Sequence, residues 1–130
     1  MAVGLASGIA NAVLDSLCRN VAWTPPAAVY VQLHVGDPGA AGTANPATES
    51  SRKQATFGTA ASGGTISNTA AISWTSVAGT EDFTHFSAWS ASSAGTFLFS
   101  GTITANAMTA GDNFDIPVGD CDVAITSLAA

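Results

Sequence analysis

The chain has 130 residues, of which only three are basic and nine acidic, for a net charge of −6. Hydrophobic residues make up 47%, enough for one real core and too many for a disordered segment. The three cations, Arg19, Arg52 and Lys53, exclude a nucleic-acid partner, because neutralising phosphates needs clustered Lys and Arg.

The first 20 residues hold the one helix expected in the chain. Leu5, Ile9, Val13, Leu14 and Leu17 form one apolar stripe at helical spacing. Asn20 is a stop signal, and Arg19 suits the negative end of the helix dipole. Gly4 and Gly8 weaken the helix, so it must rely on packing. Two placements are open. The helix is a lid over one end of the β-structure, or it docks on a partner through Leu5, Ile9 and Val13. No basic leader region precedes the apolar residues and Asp15 interrupts them, so no secretory signal is expected. No stretch approaches the ~20 apolar residues of a membrane span.

Pro25-Pro26 closes the helical region. Residues 27–35 read as a strand, with Val29, Val31, Leu33 and Val35 alternating with Tyr30, Gln32 and His34. Residues 36–50 form a long loop that opens with an Asp37-Pro38-Gly39 turn. Residues 52–61 read as a strand, Ser62-Gly63-Gly64 as a turn, and 65–68 and 70–74 as short strands. In the strand at 82–91, Phe83, His85, Ser87 and Trp89 share one face and Thr84, Phe86 and Ala88 the other. Strands at 96–104, 106–109, 113–118 and 121–128 complete the chain. Many short strands, with no alternation of strands and helices, predict an all-β fold. It is a single-domain antiparallel β-sandwich, jelly-roll-like, over residues 27–130, with one N-terminal α-helix.

The residues carry little chemistry. His34 and Asp37 lie close enough for a dyad, but no nucleophile in a recognisable setting joins them. His34 is read instead as a strand-end histidine hydrogen-bonded to the long loop, and His85 as a core or interface residue. His34, His85 and Asp37 have no metal-ligand spacing. Asp112, Asp115, Asp120 and Asp122 do not match a calcium loop and read as solvated turn carboxylates. Trp23, Trp74 and Trp89 are either core residues or flat platforms for a glycan. Cys18 and Cys121 are expected to be buried free thiols. No catalytic residue, metal or cofactor is expected.

Residues 28–57, AVYVQLHVGDPGAAGTANPATESSRKQATF, resemble a stretch of small virion proteins of tailed bacteriophages, especially those of actinobacteria. The pattern there is an apolar strand, L-H-x-G-D-P-G, a small-residue loop and a return into a strand ending in Phe. The segments TISNTAAISW, FTHFSAWSASSAGTFLFSGTIT, GDNFDIPVGDCDVAI and ANAVLDSLCRNVAWTPPAAVYV extend the likeness over nearly the whole chain. The resemblance implies a non-enzymatic virion component, tail-fibre-like or a minor capsid or decoration protein, assembled in the host cytoplasm. The chain has no long helical or repetitive shaft. The head exterior is therefore the expected location, with the major capsid protein as partner and three copies together as a homotrimer. Gly36, Asp37, Pro38 and Gly39 are then the docking element, because ordering such a loop costs backbone entropy that a partner surface would offset. The alternative is a tail-fibre or tail-tip protein that binds a host-surface glycan through its tryptophans. Charged residues are 9% of the chain, against a usual ~25%. That fits a surface buried against other subunits, or one made polar by Ser, Thr and Gly alone.

Overall fold

A computed structural model describes residues 3–126 and Ala129. One helix, α1 (Ser7–Arg19), precedes eight strands. These are β1 (Val29–His34), β2 (Lys53–Ala55), β3 (Thr65–Ser67), β4 (Ile72–Trp74), β5 (Glu81–Trp89), β6 (Phe97–Met108), β7 (Phe114–Ile116) and β8 (Asp122–Ala124). All the strand pairs are antiparallel. The main sheet has the order β2-β1-β5-β6, and β3-β8 and β4-β7 form two ribbons. The ribbons nest around the β5–β6 hairpin, β4–β7 outside it and β3–β8 outside both, which is the winding of a jelly roll. The fold is thus the expected all-β sandwich with one N-terminal helix.

Alternation places the core. Val31 and Leu33 point to one face of β1, opposite Ala88 and Phe86 on β5, and all four are fully buried. Phe99 of β6 continues this face, and its ring meets Phe86 edge-on at 6.0 Å. The ribbons supply Ile72, Trp74, Phe114 and Ile116 to the same core. Gly101 lies opposite Phe86, where an added Cβ would come within 2.5 Å of the ring. The sheet needs a bare backbone there.

Several elements differ from their sequence reading. Phe83 and Phe86 are both fully buried, although strict alternation put them on opposite faces. A register shift between Phe83 and His85 turns the strand so that both reach the core. Of residues 52–61, only Lys53–Ala55 pairs. Residues 106–109 are not a separate strand, because β6 runs on to Met108. Leu5 is not helical: it bridges to Phe99, and Ala6 N–H donates to the Leu98 carbonyl at 2.8 Å. The N-terminal segment thus extends the main sheet beyond β6. Met1, Ala2, Ser127 and Leu128, at the ends of the predicted helix and last strand, lie outside the described residues.

The helix ends as its sequence dictates. Asn20 adopts the left-handed conformation at φ 55°, and Val21 N–H closes on the Asp15 carbonyl at 3.3 Å. No residue of α1 is buried, so it is not a lid over the sandwich. Ile9 packs against the core margin, while Leu14 and Leu17 remain 56% and 77% exposed. Among the described residues, no helix is long and apolar enough to cross a membrane.

Candidate functional site

Two features stand out from the sandwich: the face of the main sheet beneath loop 36–50, and the helix-bearing end. The first is organised by His34. Its side chain is on the face of β1 opposite the core, yet it is fully buried, because the loop folds back over it. Nδ1 is 2.8 Å from the Ala44 carbonyl, and Nε2 is 2.8 Å from Ser87 Oγ. A carbonyl only accepts, so Nδ1 carries the hydrogen and a neutral ring accepts at Nε2. Ser87 therefore donates to His34. Its oxygen in turn accepts the Trp89 indole N–H at 2.8 Å. The chain Trp89 to Ser87 to His34 to Ala44 satisfies every polar group in it.

A serine and a histidine at this distance are the start of a nucleophile–base pair. Here both side chains are fully buried, and the second ring nitrogen is held by backbone rather than a carboxylate. Asp37 is turned away, accepting Gly39 N–H at 2.8 Å. The Ser87 oxygen already receives a proton donor from Trp89. What this geometry does is fasten the loop to the sheet.

The rest of the loop is ordered from within. Ala44 N–H donates to the Pro38 carbonyl, Val35 N–H to Asn45, and the Asn45 amide to the Asp37 carbonyl. Pro38 is fully buried, while Gly36, Asp37 and Gly39 are half-buried. Gly42 has φ 75°, and an added Cβ would sit 2.5 Å from the Phe97 ring. Further on, the Glu81 carboxylate accepts the Thr48 and Glu49 amides at 3.0 and 3.2 Å, and Glu49 accepts Ala78 N–H. The entropy cost that pointed to an external partner is met by these internal bonds.

Burial depresses the His34 pKa below its ordinary 6.5, and the opposing His85 adds a smaller push in the same direction. As pH falls, the unfolded chain takes up a proton at this histidine before the folded one does. The stability tied to neutral His34 is therefore present above about pH 6.5 and is lost progressively below it, until the folded ring also protonates. The urea midpoint is expected to fall between about pH 7 and about pH 5, and to fall less in Ser87→Ala, where the ring has lost one partner.

At the other feature, α1 and the returning segment 20–26 stand beside the β5–β6 turn. Ile9, Trp23, Pro26 and Leu98 line a cleft of about 240 Å³ there. Arg52 braces the turn. Its Nη1 donates to the Ala91 and Ala94 carbonyls, its Nε donates to Gln32 Oε1, and its guanidinium lies 4.3 Å from the Trp89 ring centre.

The sequence-derived residues divide accordingly. Of the expected contact residues, Leu5 packs on the core, and Ile9 and Val13 are half-buried on the inner margin of the helix. Trp74 and Trp89 are buried, and only Trp23, at 38% exposure, has a ring open to solvent. Cys121 is buried and its thiol is pushed up to about 12, chiefly by burial. Cys18 is exposed on α1, contrary to expectation, because the helix does not pack as a lid. Among the described residues, no three His, Cys, Asp or Glu side chains gather as a metal site. Sequence reasoning missed Ser87 and Arg52. Ser87 becomes visible only once β1 and β5 are paired, since Gln32 is its direct neighbour across the strands.

Residues 4–124 match the model of the family described as podophage GP4 fiber I protein gp80. The chain belongs to that family. No curated protein matches the sequence. A gp80-family chain is a phage virion structural protein, as the resemblance implied. The match supports a phage structural protein without supporting the narrower actinobacteriophage grouping or its L-H-x-G-D-P-G motif.

Proposed function

We propose that this gp80-family protein is a non-enzymatic subunit of a phage fibre, with other virion subunits and further copies of itself as its partners. The observation that carries the reading is the family match over residues 4–124, because the family's description is that of a fibre protein. The sealed Ser87–His34 pair supports a structural role, since its nucleophile has no open side and its base is spent on holding the loop. No cofactor is invoked. The head-decoration reading, with the major capsid protein as partner and loop 36–50 as docking element, rested on the lack of a shaft. A fibre built from several kinds of chain needs no shaft in this one. Glycan recognition through a tryptophan platform loses support with Trp74 and Trp89 in the interior.

Copy number separates fibre from decoration. Quantitative mass spectrometry of purified virions is expected to find far fewer copies of this chain than of the major head subunit. A ratio approaching one to one would move the protein to the capsid surface.

A further inference from the structure

We infer that the exposed side of α1 is a self-association surface that receives the same helix of a further copy of this chain. The inference deepens the structural-subunit reading and rests on it for bringing many copies together. The apolar stripe of α1 is wider than the sandwich covers. On its inner margin Ile9 packs against the core and Val13 is half-buried, whereas Leu14, Leu17 and Cys18, at i, i+3 and i+4, face solvent. Val21 and Trp23 continue the exposed strip past the cap. A stripe this broad, half covered, lacks a second cover.

Two observations name a copy of this chain as the cover. The first is charge. Residues 5–30 and 90–98, which build this end, carry only Asp15 and Arg19, and these pair with each other at 3.2 Å. The other eight carboxylates of the chain lie outside these segments. Two molecules of net charge −6 repel, and they approach at least cost where each presents a neutral, apolar end. Arg52, the other charge at this end, is engaged by Gln32, the Ala91 and Ala94 carbonyls and the Trp89 ring, so a strongly charged partner would find no free charge here to pair with. The second observation is shape. The protruding leucines and the cleft beside Trp23 lie on the same end, so the ridge of one copy has a recess on its neighbour. A surface that carries both ridge and recess can be complementary to itself.

The test is light scattering of the full chain over a range of concentrations, with two variants and a thiol cross-linker. Leu17 is 77% exposed, so Leu17→Glu leaves the fold intact, as circular dichroism will verify. The control is Val118→Glu, 59% exposed on the β7–β8 connection. Cys18 is the reactive thiol on the proposed surface, with Cys121 buried. The wild type and Val118→Glu are expected at a multiple of the 12.9 kDa chain mass, and Leu17→Glu at the mass of one chain. A short bismaleimide is expected to join wild-type chains through Cys18. A wild type that stays monomeric at every concentration would overturn the inference, as would Leu17→Glu chains that still associate. Neither failure touches the fibre reading, which stands or falls on copy number and location in the virion.

Discussion

Replacing Trp74 by alanine is expected to cost about 4 kcal/mol of folding stability, the largest single-residue effect in the molecule. The indole is fully buried at the centre of the β4–β7 ribbon, directly opposite Phe114, with the ring centres 6.1 Å apart. Phe114 in turn meets Phe83 of the main sheet at 5.0 Å, so Trp74 begins an aromatic chain that ties the two layers together. Its Nε1–H also donates to the Ser51 carbonyl at 2.9 Å, joining the ribbon to the segment that leads into β2. Alanine leaves a cavity and an unpaired carbonyl. Phenylalanine leaves only the carbonyl and part of the volume, and is expected to cost about half as much. The urea midpoint of each variant measures this. A loss under about 1 kcal/mol for Trp74→Ala would contradict the assignment of this ring to the core. A glycan platform would show the opposite pattern, unchanged stability with lost binding.

The second large effect belongs to His34. His34→Ala removes the acceptor of the Ser87 hydroxyl and the donor to the Ala44 carbonyl in a fully buried site. Each buried polar group left without a partner costs about 1–3 kcal/mol, and the lost ring volume adds to this. We expect about 3 kcal/mol in total. The damage is directional. The loop should loosen before the sheet does, so the Val35 and Ala47 amides, which bond across the base of the loop, should exchange faster with solvent. Ser87→Ala removes the middle of the same chain and strands the Trp89 indole N–H. The double variant should therefore cost much less than the sum of the single ones. Additive losses, with unaltered exchange in the loop, would mean that His34 does not hold it down.

How much of this was legible in the sequence depends on the range of the interaction. The alternation of Val31 and Leu33 reports a local fact, which face of a strand meets the core, and it read correctly. So did the stop at Asn20, where the residue itself favours the left-handed turn. The register shift between Phe83 and His85 was not legible, because it is set by the partner strand β6. Leu5 fitted the helical stripe by spacing alone, but its backbone is claimed by the free edge of β6 at Phe99. Loop 36–50 was the least legible segment. The bond from His34 was expected, but the loop's small residues and prolines gave no sign that Asn45 would close the loop from within or that Glu81 would satisfy its far end from a distant point of the chain. Much of the loop's order comes from bonds inside the chain, which its local sequence does not report. The converse holds at the helix, where Leu14 and Leu17 were counted in the stripe that packs inward and instead face solvent.

The central claim, that this gp80-family chain works as part of a fibre, is tested most directly by where it sits. Immunogold labelling of intact virions, with antibodies against the folded chain, reads that position. Label confined to the tail and its fibres is the expected result. Label spread over the heads would contradict it and return the protein to the capsid exterior.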